Sequence, residues 1–257
     1  MKIVNVLWTG GWDSTFRIVE LSRENVIIQP VYVLDPNRKS SNIEINTMKK
    51  ITAALNKKDE TKAQIKAPNI IKLDDIAPND EITEAYNMLC RSVKLGSQYD
   101  WLARLAINYD DKLEIGIEKP NGEFSGCIAV INKYGELIKD GNTYVLAPQK
   151  STRELRLVFQ NLSFPICMKT EIDMLKYIKS IGYEDVMSLI WFCHSPIKGK
   201  PCGFCRPCQQ KMDCEMAWLL PDQSQSRYRR FKYLQKINNK LASFYAKTTI
   251  SLNKKKV

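Results

Sequence analysis

Thr9-Gly10-Gly11-Trp12-Asp13-Ser14-Thr15 sets the fold class expected of this chain. It follows an apolar run, Ile3 to Trp8, and leads into a helix-like segment, Ser14 to Arg23. A strand, a glycine turn and a helix aim backbone N–H groups and the positive end of a helix at an anion. Gly10 and Gly11 permit backbone angles that other residues avoid, and they let a phosphate come close. Thr9, Ser14 and Thr15 add hydroxyls, and Asp13 adds a carboxylate for Mg²⁺ or for the helix start. No lysine follows the glycines, so this is not a Walker A loop. The plainer reading of the same residues is a strand–turn–helix capped by Asp13 or Ser14.

Working outward, apolar β-branched runs alternate with helical patterns: Ile27–Val33 then Ile43–Leu55, Ile70–Leu73 then Glu81–Val93, Leu113–Ile117, and Leu157–Leu162 then Glu171–Ile181. Such alternation predicts βαβ units and a parallel sheet, an α/β fold of Rossmann type. Ligands of such sheets bind at the carboxyl ends of the strands. Thr9–Ser14, Asp35 and Glu118 all fall there. Between residues 121 and 149 the pattern breaks. Ile128–Ile138 reads as a hairpin and Gly141–Val145 as a further strand, together a β insertion over the active site or an interaction arm. Lys169 stands just before Thr170-x-x-Asp173, a capping-box pattern that opens the next helix. From there a lysine reaches toward a phosphate or an acyl oxygen; the alternative is a solvated lysine.

Near the C-terminus, Cys193-x8-Cys202-x2-Cys205-x2-Cys208 brings four thiols within a short span. Two C-x2-C spacings and four thiolates suit a tetrahedral structural Zn²⁺. Met1-Lys2 leads straight into a short strand-like run, so the expected setting is cytoplasmic and reducing. There, dense cysteines bind metal more often than they pair as disulfides. A disulfide, a redox pair or an iron–sulfur cluster is the other use of such a set. His194, the sole histidine, either displaces one cysteine or merely neighbours Cys193.

At 257 residues and 44% hydrophobic, the chain can bury one sizeable core. No apolar stretch reaches the length of a membrane span, so no membrane partner is expected. The formal net charge of +11 is uneven. Of the 39 Lys and Arg, ten lie in residues 223–257 with no Asp or Glu, which leaves 29 basic against 28 acidic residues in the remainder. The boundaries expected are residues 1–220 for the nucleotide-binding domain and 221–257 for a basic helical tail. In that tail Tyr228, Phe231, Leu234, Ile237, Leu241, Phe244 and Tyr245 recur at helical spacing. The tail packs on the body with a solvated charged face, docks an acidic protein, or contacts nucleic acid.

The glycine loop resembles the S-G-G-x-D-S loop of the PP-loop ATP pyrophosphatases, with Thr9 in place of the first serine. Paired with the cysteine spacing, it resembles the 7-cyano-7-deazaguanine synthases, the QueC family, some of whose paralogues sit in antiviral defence operons. Further matches run in order through about residue 215. Gly96-Ser97-Gln98 with Trp101–Ala106 is similar to the family's G-R-N turn and apolar helix, Leu113–Glu118 to its next strand, Glu123-Phe124-Ser125-Gly126 to its D-F-S-G segment, and Lys169-Thr170-Glu171 to its K-x-E.

The resemblance implies an adenine nucleotide α-hydrolase-like ligase that cleaves ATP between the α and β phosphates and forms a carbon–nitrogen bond. It implies ATP and Mg²⁺ at Thr9, Gly10, Gly11, Asp13, Ser14, Thr15, Asp35 and Gly96, with Asp13, Ser14 and Lys169 in catalysis. It places 7-carboxy-7-deazaguanine against Glu118, Glu123, Phe124, Ser125 and Gly126, and structural zinc on Cys193, Cys202, Cys205 and Cys208. Relatives of this type are often homodimers.

The chain departs from the pattern on the substrate side. The family's Y-P-D-C-R continuation is Cys127-Ile128-Ala129-Val130-Ile131 here, the turn arginine is Ser97, and an aromatic-glycine loop is replaced by Asp35-Pro36-Asn37-Arg38. The departures favour an activated deazaguanine-type carboxylate attacked by an amine on a partner protein, giving an amide. No glutaminase domain is read, so the amine is expected free or on that partner. The alternatives are the family's own synthesis of the nitrile from ammonia in queuosine biosynthesis, tRNA thiolation through Cys90, Cys127, Cys167 or Cys214, and a non-enzymatic zinc-knuckle nucleic-acid binder.

Overall fold

A computed structural model describes residues 1–38, 40–119 and 126–254. The chain divides into two compact units, Met1–Ile190 and Trp191–Val257. The division falls ahead of the cysteines, at 190/191 and not at 220/221 as expected from the sequence.

The first unit is a mixed α/β fold around a mostly parallel sheet. Its elements are β1 (Lys2–Leu7), α1 (Trp12–Ser22), β2 (Val26–Leu34), α2 (Ser41–Leu55), β3 (Gln64–Ile65), β4 (Asn69–Lys72), α3 (Asp80–Cys90), α4 (Gln98–Ala106), β5 (Leu113–Glu114), α5 (Gly126–Tyr134), β6 (Leu137–Asp140), β7 (Thr143–Leu146), α6 (Arg153–Phe159), β8 (Leu162–Ser163), α7 (Glu171–Ser180) and α8 (Glu184–Met187). The strand order is β3-β2-β1-β5-β8-β7-β6, and β4 also pairs with β2. β1 pairs in parallel with β2 on one side and with β5 on the other. The winding therefore reverses at β1, which is where an open α/β sheet leaves its ligand crevice.

Side chains on successive strand residues face opposite sides of a sheet. Leu113 and Ile115 join a core with α3 to α6, containing Leu102, Val130, Leu155 and Phe159. Glu114, between them, meets Arg17 of α1. Helices α1, α2, α7 and α8 pack among themselves, as do α3, α4 and α6.

Two sequence expectations are corrected. Residues 126–134 form helix α5 and no hairpin arm; Cys127, Ile128, Val130 and Ile131 are buried at helical spacing. The Ile and Val of this stretch have high strand propensity, and packing overrides it. Likewise Leu157–Phe159 belongs to α6, whose N-cap Thr152 accepts a hydrogen bond from the Leu155 N–H. Strand character survives only at Leu162–Ser163. The β6–β7 hairpin turns at Gly141, φ +56°. It is no separate insertion: β7 pairs antiparallel with β8 and extends the main sheet.

The second unit holds the cysteine loop, α9 (Arg206–Asp213), α10 (Asp222–Ile237) and α11 (Asn239–Lys254). Its core joins Cys193, Cys202, Phe204 and Cys208 to Phe231, Tyr245 and Ile250. The Phe204 ring centroid lies 5.8 Å from Phe231 and 5.4 Å from Tyr245. The apolar stripe seen in the tail thus divides: Phe231 and Tyr245 face this core, whereas Ile237, Leu241 and Phe244 are exposed. Among the described residues, no helix is long and apolar enough to cross a membrane.

Candidate functional site

The loop after β1 is built by three close approaches. Trp8 ends the strand with its N–H on the Val31 carbonyl at 2.9 Å, next to β2. Gly10 then takes φ +71°, and a Cβ there would lie 2.9 Å from Thr47 Cγ2 on α2. Gly11 is the N-cap of α1 in an extended conformation and gives the helix no side-chain cap. The start of α1 thus faces the glycine turn, and a helix N-terminus is the end that receives an anion.

Beyond β5, Gly116 closes the other wall. A Cβ at 116 would meet Ser14 N at 3.0 Å and Asp13 Cβ at 3.2 Å. A side chain at 116 would crowd the start of α1, and glycine lets the two backbones lie close. The carboxyl ends of β1 and β5 therefore meet at the point where the winding reverses, and Glu118 follows two residues on.

The hydroxyls of the loop divide in use. Ser14 Oγ accepts from the Thr9 N–H at 3.4 Å, folded back across the turn. Thr15, expected among the nucleotide contacts, is fully buried, and its Oγ1 accepts from the Trp8 indole at 2.9 Å. It holds strand to helix. Asp13 is half-buried in the first turn of α1. Asp35 follows β2; its Oδ1 accepts from the Asn37 N–H at 2.8 Å in a tight turn. Gly96 opens the turn into α4 and accepts from the Tyr99 N–H at 3.2 Å. Gly126 starts α5 with φ +63°. Glu123, Phe124 and Ser125 lie outside the described residues.

Lys169 is not brought to the loop. Its Nζ pairs with Glu20 Oε1 at 2.8 Å and lies 5.6 Å from the Phe16 ring centroid. Glu20 is six residues along α1 from Ser14, about 9 Å of helix axis. Glu20 also approaches Arg17, and Arg17 is bound by both oxygens of Glu114 at 2.7 and 3.0 Å. Burial works against the Arg17 charge, but Glu114 more than offsets it and the pKa ends up raised. This chain of charges borders a polar cavity of about 450 Å³ that Lys139, Asn142 and Tyr177 also line. The signal for it was in the sequence: Arg17 and Glu20 lie one turn apart among Phe16, Ile18, Val19 and Leu21, and Glu114 sits inside an apolar strand.

A second polar group underpins the loop from α2. The buried Glu44 carboxylate accepts from Tyr32 Oη at 2.9 Å, Ser40 Oγ at 2.7 Å and Arg38 Nε at 2.9 Å. Burial, with Glu44 alongside, pushes the Tyr32 hydroxyl up to about 12. Sequence reasoning missed Glu44, because its partners come together only in the fold.

In the second unit the four cysteine sulfurs lie within 4.8 Å of one another. Cys202 Sγ is 3.9 Å from Cys208 Sγ, and Cys205 Sγ is 4.0 Å from Cys193 Sγ. A tetrahedron with Zn–S near 2.3 Å has S···S edges of about 3.8 Å. Backbone N–H groups point at the sulfurs: Cys202 N at Cys193 Sγ, 3.1 Å, and both Phe204 N and Cys205 N at Cys202 Sγ, 3.3 Å. The four cysteines can hold a metal ion such as zinc, with every position supplied by protein. Gly203, φ +84°, lies against the Ser224 carbonyl of α10, and Arg227 donates to the Cys202 and Pro201 carbonyls at 2.9 Å each.

No protein-family model matches the chain, and no curated protein matches it. Ten chains of solved structures do. One is described as a predicted subunit of tRNA methyltransferase from Methanocaldococcus jannaschii, 14% identical, covering 70% of this chain and 75% of that one at a TM-score of 0.35. A likeness of this degree assigns neither family nor activity.

Proposed function

We propose that the first unit is an AMP-forming ATP pyrophosphatase that activates a carboxylate for attack by an amine. The single observation that carries this reading is the glycine turn between β1 and α1 at the reversal of the sheet, with Gly116 pressed against its backbone. ATP would lie with its β and γ phosphates against Thr9, Gly10, Gly11 and the start of α1. A carboxylate oxygen attacks the α phosphorus, and pyrophosphate leaves. Mg²⁺ held near Asp13 would neutralise charge on that leaving group. The amine then attacks the acyl carbon, AMP departs with the carboxylate oxygen, and a proton is lost to give the amide. Lys169 takes part only by leaving Glu20 for a phosphate or acyl oxygen.

The substrate proposed is a 7-deazaguanine-type carboxylate, on the strength of the ordered sequence resemblance, with Glu118 at the strand end as its acceptor for ring N–H groups. The acceptor amine is proposed to belong to a partner protein, because the departures from the family pattern gather on the substrate side. Thiolation through Cys127 or Cys167 is disfavoured: both are buried, and burial pushes their thiols up to about 11, away from the nucleophilic thiolate.

The test is incubation with ATP, Mg²⁺ and 7-carboxy-7-deazaguanine, with and without ammonia and with co-encoded proteins, followed by nucleotide and mass analysis. The reading predicts AMP, pyrophosphate and a mass increase on one protein. Free nitrile alone would return the reaction to the family's own. No AMP under any condition would end the proposal.

A further inference from the structure

The second unit carries a feature that adenylation does not use. Residues 223–257 hold ten Lys and Arg without one Asp or Glu. Arg227 is committed to the cysteine loop through its carbonyl bonds. Farther along α10, the Tyr228 hydroxyl donates to Asp213 of α9 and Lys232 pairs with the same carboxylate at 3.5 Å. Tyr228, Arg229, Lys232, Tyr233 and Lys236 fall at spacings of one, four, five and eight residues, which is one face of a helix. With Gln235 they line a surface groove of about 590 Å³. Tyr233 is 66% exposed, and Arg229 and Lys236 are exposed beside it. Lys232 sits over the Tyr228 ring, 5.5 Å from its centroid.

We propose that this face of α10 is a docking surface for single-stranded nucleic acid. Cations spaced along a groove follow a phosphate chain, and the exposed Tyr233 ring between them offers a plane for an unstacked base. An acidic polypeptide would satisfy the charge but would leave Tyr233 without a planar partner. An anionic membrane needs a broad apolar face; apart from Tyr233 and Ile237, the exposed positions of α10 are polar. A second copy of the chain would bring one cationic face against another. The inference is independent of adenylation, since it uses none of those residues.

The experiment is fluorescence anisotropy of the full zinc-loaded chain with fluorescein-labelled 30-mers of dT and of U, a 30-base-pair duplex, polyglutamate, and phosphatidylserine vesicles. Binding is measured between about 50 and 200 mM salt. We expect a single strand to bind best, and the tighter of the two 30-mers identifies DNA or RNA. The slope of log affinity against log salt should lessen by about 2 in the triple variant Arg229→Gln, Lys232→Gln, Lys236→Gln, about 0.7 for each lost phosphate contact. Tyr233→Ala should weaken binding roughly five- to hundredfold at fixed salt with little change in slope, and Tyr233→Phe should restore it. Arg229, Tyr233 and Lys236 are exposed and Lys232 is half-buried beside Asp213, and zinc content per chain checks that each variant folds. No binding of either strand at 50 mM salt, indifference to both variants, or equal or tighter binding of duplex, polyglutamate or vesicles would overturn the proposal.

Discussion

Arg17 of α1 and Glu114 of β5 form a buried two-point ion pair, with Nε to Oε2 at 2.7 Å and Nη2 to Oε1 at 3.0 Å. It fastens the helix that begins at the glycine turn to the strand that ends at Gly116. Removing one partner strands a charge in the interior, at a cost of about 3–5 kcal/mol. Glu114→Gln should therefore lower stability steeply, whereas Arg17→Met with Glu114→Leu should lose much less. Urea unfolding of the two variants checks the difference. Equal losses would mean that the pair's charges do not matter.

The glycine turn makes a sharper demand. Gly116→Ala places a methyl 3.0 Å from Ser14 N, and Gly10→Ala sets a side chain against Thr47 at a φ of +71°. The Gly10 change also carries left-handed strain of about 1–2 kcal/mol. Both should cut ATP cleavage at least tenfold, and Gly116→Ala should do so with little loss of stability. Its AMP-forming rate beside its urea midpoint separates the two effects. A wild-type rate in Gly116→Ala would remove that contact from the site.

Metal is expected to hold the second unit together, because a site formed from four cysteines turns binding energy into folding energy. Wild-type protein should carry one zinc per chain, and Cys205→Ser or Cys208→Ser should carry little. Chelation should expose Phe204, Phe231 and Tyr245, read by limited proteolysis within residues 191–257. Full resistance to proteolysis after metal loss would make the metal incidental.

What the sequence revealed follows the reach of each signal. The cysteines are close in the chain and their spacing already states their geometry. The β1 turn is equally local, and so is the Thr170–Asp173 capping box, whose two reciprocal hydrogen bonds form at 3.1 and 3.0 Å. Gly116 against Ser14, and Glu44 under Tyr32 and Arg38, exist only after distant segments meet. Helix α5 looks like strand in the sequence because Ile128, Val130 and Ile131 prefer strands, and only its burial pattern distinguishes the two. Both its helix start and the resemblance put Lys169 within reach of a phosphate; the fold pairs it with Glu20.

The buried thiols give a pH dependence. Burial raises Cys127 and Cys167 from an ordinary 9.0 to about 11. A group whose folded pKa is raised stabilises fully below its unfolded pKa, and that contribution is lost as pH rises through the folded value. Stability should fall between about pH 9 and 11, and Cys127→Ala with Cys167→Ala should flatten the fall. Urea midpoints at pH 8 and pH 10.5 for both proteins measure it. An unchanged slope in the variant would assign the loss to other groups, such as Tyr99, whose hydroxyl burial also raises.

In the proposed reaction AMP passes to a carboxylate oxygen, so that oxygen leaves with the nucleotide. The most direct measurement uses substrate carboxylate labelled with ¹⁸O, ATP and Mg²⁺, with mass analysis of the nucleotide released. Adenylation predicts AMP carrying one ¹⁸O on its phosphate, formed with pyrophosphate and lost in Asp13→Asn and Ser14→Ala. Unlabelled AMP, or ADP with inorganic phosphate, would contradict it.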